Sequence, residues 1–78
     1  MASYTNIYAQ KIYEILAPLI GDMMTQGVIK GQAGLIGKNE TTIEKADMPL
    51  LAEKIGKGLV VFLGSDTASK VCNRIAQL

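Results

Sequence analysis

The stretch LAEKIGKGLVVFLG, residues 51–64, decides how this chain reads, because a shift of 43 positions lays it over YAQKIYEILAPLIG, residues 8–21. Ala9 then meets Ala52, Lys11 meets Lys54, Ile12 meets Ile55, Leu16 meets Leu59 and Gly21 meets Gly64. Past the glycine, Asp22 faces Ser65, both helix-capping types, and Val28 faces Val71. Two amphipathic helices align their apolar residues through spacing alone, so the columns do not by themselves establish duplication. The shared glycine followed by a capping residue is the informative part. It predicts two helix–Gly–helix hairpins, each too thin to bury its own apolar stripe and therefore packed on the other.

Working outward from those glycines, Tyr8, Ile12, Ile15, Leu16 and Leu19 mark one face of a first helix, capped by Ser3 or Thr5. Pro18 removes an N–H donor and crowds the Glu14 carbonyl, so a kink or stop is expected there, with Gly21 as terminator and Asp22 as the next cap. The second helix places Ile20, Met23, Met24, Gly27, Val28, Gly31 and Leu35 together. Gly27 is expected to admit a close neighbour and Gly34 to fray the helix before Gly37 ends it.

Asp47 and Pro49 open the third helix, with a stripe of Met48, Leu51, Ala52, Ile55, Leu59, Phe62 and Leu63. After Gly64, with Ser65 as cap, Ala68, Val71, Cys72, Ile75 and Leu78 form the buried face of the fourth. The expected architecture is an all-α, compact four-helix domain spanning residues 1–78. Hairpin one covers about 4–37, a polar linker 38–46, and hairpin two about 47–78. A pseudo-two-fold arrangement follows if the hairpins are alike.

Composition narrows the function classes. Apolar residues make up 49% of 78 residues, too many for a disordered chain, and eight basic against seven acidic groups leave only +1. That balance gives nucleic acid or anionic lipid little to attract. Without histidine the usual neutral-pH base and the commonest metal ligand are missing, and the lone Cys72 makes neither a disulfide nor a thiolate cluster. Cys72 therefore reads as a small buried hydrophobe. The start of the chain lacks a secretory pattern, and charges interrupt every apolar run short of the roughly 18–20 residues a membrane span needs. The expectation is a cytoplasmic protein, not an enzyme, with no cofactor, no metal and no membrane partner.

The apparent motifs reduce to local structure. GQAGLIGKNET, residues 31–41, has Gln32 where a phosphate loop needs glycine and Asn39 where it needs a hydroxyl, so helix termination is the better reading. TTIEKADMPLLAEKI, residues 41–55, resembles the loop and last helix of an archaeal histone over 15 residues. Such a histone has a long central helix, which Pro18 and the glycines interrupt in this chain, and DNA wrapping depends on clustered cations. No family membership follows from the match.

Apolar residues off the main stripes point instead to an interface. Leu50 and Val61 project from the third helix on the side that carries Lys54 and Lys57, while Tyr4 and Ile7 widen the first stripe and Ile29 and Ile36 the second. The leading expectation is a protein–protein interaction module acting as adaptor or regulatory subunit. Its partners would be a second copy, giving a homodimer, and an unidentified protein. Leu50 and Val61 would be covered, with Lys54, Lys57, Lys70 and Arg74 near the rim. Lys70 and Arg74, one turn apart, are the candidate anion contact of a nucleic-acid-binding alternative. A carrier of small apolar ligands, lined by Met23, Met24, Met48 and Phe62, is the other.

Overall fold

The structure, a computed structural model, describes residues 3–78. Among these residues there are four α-helices and no strand: α1 (Ile7–Ile20), α2 (Asp22–Leu35), α3 (Met48–Leu63) and α4 (Ser65–Ala76). A 3-10 turn, Lys45–Asp47, leads into α3. The all-α, four-helix expectation holds, and the two glycine corners fall where the offset of 43 puts them.

Those corners share one geometry. Gly21 has φ 87 and ψ 165, and Gly64 has φ 81 and ψ 162. Each ends one helix and caps the next. Gly21 N–H donates to the Ala17 carbonyl at 2.9 Å and Gly64 N–H to the Val60 carbonyl at 3.0 Å. Their own carbonyls accept from Thr25 N–H at 3.1 Å and Ala68 N–H at 3.0 Å, again 43 positions apart. A residue with a Cβ resists such dihedrals, so the sharp reversal depends on glycine. Asp22 and Ser65 are therefore not caps. Each is the first residue of its helix, because the glycine leaves no spare position.

The cap of helix α1 is Asn6, one residue past Thr5 and three past Ser3. Asn6 accepts from Tyr8 N–H at 2.9 Å and Ala9 N–H at 3.0 Å, while its amide donates to the Ile43 carbonyl at 2.8 Å and the Thr41 carbonyl at 3.3 Å. Asparagine does both because it carries an acceptor and two donors, which serine and threonine lack. The helix continues past Pro18 to Ile20, since losing one bond in the last turn does not terminate a helix already packed through Ile12 and Leu16.

The face of α2 differs from the expected one. Thr25, Ile29 and Ala33, spaced i, i+4 and i+8, point inward, whereas Met23 is 84% exposed and Met24 and Leu35 also face solvent. Thr25 tolerates burial because its hydroxyl donates to the Gly21 carbonyl at 2.6 Å. Gly27 is not a packing contact, as nothing approaches within 4 Å of the place its Cβ would occupy, and Gly34 does not fray the helix. The helix stops through paired bonds from Lys38 N–H to the Ala33 carbonyl and from Gly37 N–H to the Gly34 carbonyl, with Gly37 at φ 76. Helix termination was thus the right reading of that glycine-rich run.

Close approach occurs instead at Gly56. A Cβ there would lie 3.1 Å from Cys72 Cβ, so the bare position lets α3 and α4 approach a few tenths of an ångström closer than a side chain would allow. The linker also contributes more than polar surface: Ile43 is buried in the core beside Met48, Leu51, Ile55 and Leu59 of α3, Ile12 and Leu16 of α1, and Ile75 of α4. Each such side chain contributes about 1.5–3 kcal/mol on burial. Asp47 stands at the N-cap position of α3, but its carboxylate accepts from Glu44 N–H at 2.9 Å and lies 3.6 Å from Lys38 Nζ. Lys38 also meets Glu44 at 3.3 Å, and these carboxylates, Glu44 first, hold its ammonium above the ordinary lysine range.

Candidate functional site

Helix α3 carries the residues on which the interface expectation rests. Positions 50, 54, 57 and 61 follow one another at i, i+4, i+7 and i+11, so Leu50, Lys54, Lys57 and Val61 share a stripe. That stripe faces away from Ile55 and Leu59, which are buried. Leu50 is 46% exposed and Val61 85% exposed. They are not neighbours, however: eleven residues of helix separate them by about 16 Å. Between them Lys57 forms an exposed ion pair with Glu53 at 3.1 Å, which makes the middle of the stripe polar.

The apolar surface gathers at the C-terminal end of α3. Val60, Val61 and Phe62 are all exposed, Phe62 by 62%, while Leu63 after them still packs on the core. The core expectation for Phe62 is overturned here, and that for Leu19, its counterpart 43 positions earlier, likewise. Both helices reach past their last buried residues, Leu59 and Leu16, before turning at glycine. A sequence signal was available: three consecutive apolar residues cannot all lie on one helical face.

Lys70 and Arg74 are exposed on α4. Arg74 borders an open groove of about 410 Å³ together with Lys11, Glu14, Ile15, Gln77 and Leu78. Its charge is mixed, two cations and a carboxylate, and Lys70 does not line it. The four residues suggested for an apolar-ligand pocket are not brought together. Met48 is buried in the core, while Met23, Met24 and Phe62 face outward.

A second hollow escaped the sequence reading. Tyr4, Gln26, Lys30 and Glu40 line a partly open hollow of about 210 Å³ where the residues before α1, helix α2 and the connector meet. Only the spacing of Gln26 and Lys30, one helical turn apart, was visible beforehand. Among the described residues no cluster of three or more acidic or cysteine side chains could hold a metal ion, and no helix is long and apolar enough to cross a membrane.

No protein-family model, curated protein or solved structure matches the chain.

Proposed function

We propose that this chain is a cytoplasmic, non-enzymatic protein–protein interaction module that pairs with a second copy through the C-terminal turn of α3. The observation that carries this reading is the exposure of Val61 and Phe62 side by side on the last turn of α3. Clustered apolar surface of this kind is a frequent mark of interfaces, and aromatic residues are enriched at their centres. A second copy would also extend the small interior available to a chain of 78 residues. In this arrangement Val61 and Phe62 form the centre and Leu50 lies toward the edge. Lys54 and Lys57 complete the polar rim.

Sedimentation tests the reading directly. The unmodified chain should be dimeric at concentrations on the order of tens of micromolar, equivalent to roughly 6 kcal/mol of association. Val61→Glu should leave a monomer with unchanged helical circular dichroism, and Leu50→Glu should weaken pairing less. A monomeric parent chain, or a Val61→Glu dimer as tight as the parent, would remove the proposal. DNA binding that falls steeply with salt would favour the nucleic-acid alternative through Lys70 and Arg74.

A further inference from the structure

The hollow bounded by Tyr4, Gln26, Lys30 and Glu40 carries two opposite charges that do not satisfy each other. Lys30 and Glu40 both line it, yet no ion pair joins Lys30 to Glu40 or to any other carboxylate of the described residues. The Glu40 carboxylate is anomalous in a second way: its Oε2 is shielded from solvent and receives no hydrogen bond. An acceptor atom shielded from water without a donor is costly, so a donor entering beside it recovers a hydrogen bond.

The surrounding chain holds Glu40 in place. Asn39 N–H donates to Thr42 Oγ1 at 2.9 Å, Thr41 N–H donates to Asn39 Oδ1 at 2.8 Å, and Asn6 fastens the following carbonyls to the start of α1. Glu40 thus sits in a turn bound on both sides, and a ligand would spend little ordering it. Gln26 donates its amide to Asp22 at 3.0 Å, which leaves its carbonyl oxygen as an acceptor. Tyr4 is fixed by its backbone N–H to Gln10 at 2.9 Å and by a tilted ring contact with Tyr13 at 5.8 Å. Burial first, then the negative charge of Glu40, keeps its hydroxyl protonated beyond the ordinary tyrosine range. The hollow therefore presents acceptors, a carboxylate and an ammonium along one lining.

From these unpaired opposite charges lining one hollow we infer that it is a binding site for a small zwitterion of the α-amino-acid class. The ligand ammonium approaches Glu40, with the Gln26 carbonyl and Tyr4 hydroxyl as further acceptors, and the ligand carboxylate faces Lys30 Nζ. A hollow of about 210 Å³ is smaller than the roughly 300–1,000 Å³ of drug-sized pockets, which restricts the ligand to a few heavy atoms. This site is remote in sequence from the α3 turn proposed for pairing and stands or falls independently of it.

Glycine is the probe, followed by amide chemical shifts in the full-length chain, with methylammonium and acetate as half-ligands. Glycine should give saturable shifts centred on Tyr4, Gln26, Lys30 and Glu40 at concentrations up to about 10 mM. Both Glu40→Gln and Lys30→Met should weaken it at least tenfold. Lys30 is an exposed helix position, so its variant keeps the measurement interpretable if Glu40→Gln disturbs the turn. Absence of saturation, unchanged glycine binding by Lys30→Met, or binding of either half-ligand as tight as that of glycine overturns the assignment.

Discussion

The two hairpins are built on the same corner but close differently. Position 13 in hairpin one corresponds to position 56 in hairpin two, and the residues there are Tyr13 and Gly56. Tyr13 fills its position with a ring and donates its hydroxyl to Asp22 at the start of α2. Gly56 leaves the position bare, and Cys72 of α4 moves up against it. In keeping with this, α3 and α4 lie against each other more extensively than α1 and α2 do. The equivalent position is thus filled in one hairpin and a bare close contact in the other, while the glycine corner sets where each pair turns.

Substitutions at equivalent positions separate the two roles. The largest effect is expected at the corners, where Gly21→Ala and Gly64→Ala should each cost about 1–3 kcal/mol, because both force a Cβ into a backbone region reserved for glycine. Thermal unfolding of the two variants should give similar losses. A loss at one corner only would show that the likeness of the hairpins is superficial.

Next comes Gly56→Ala, which gains about 1 kcal/mol of helix propensity but pushes a Cβ against Cys72, an overpacking worth roughly 1–3 kcal/mol. The net should be destabilising. Gly31→Ala, on an open face of α2, should stabilise by about 0.5–1 kcal/mol in urea unfolding. Equal signs for these two alanines would contradict the difference in closure.

The smallest effect is alkaline. Tyr4 and Lys38, in hairpin one and the connector, both have folded-state values raised above the ordinary 10.0 and 10.5. The native state then holds these protons more firmly than the unfolded chain. Their contribution is complete below those ordinary values and is lost as pH rises through the raised ones. Melting temperatures recorded from neutral pH upward should start to fall near pH 10, and Tyr4→Phe should shallow that fall.

Much of the fold was legible because glycine and the 3.6-residue period act locally. Gly21, Gly37 and Gly64 announced their stops, and Ile12, Leu16, Ile55, Leu59, Val71 and Ile75 announced the interior. The errors fell where tertiary contacts overrule local pattern. On α2 the apolar pattern selects Met23 and Met24, yet Thr25 enters the core because its hydroxyl reaches the Gly21 carbonyl. Ile43 hid inside a polar run, and Asn6 had to bind two segments 35 residues apart before its role showed. Leu50 and Val61 lie on the outer side of α3, whereas Phe62, expected inward, is exposed while its neighbour Leu63 packs on the core. The polar hollow was invisible, since Tyr4, Gln26, Lys30 and Glu40 meet only through folding.

A corner made of a single glycine has no slack. The carbonyl of Gly21 already serves Thr25, and its N–H already serves Ala17. An inserted residue at either corner would have to break one of those bonds and re-aim an entire helix. Relatives of this chain should therefore keep both elbows free of insertions.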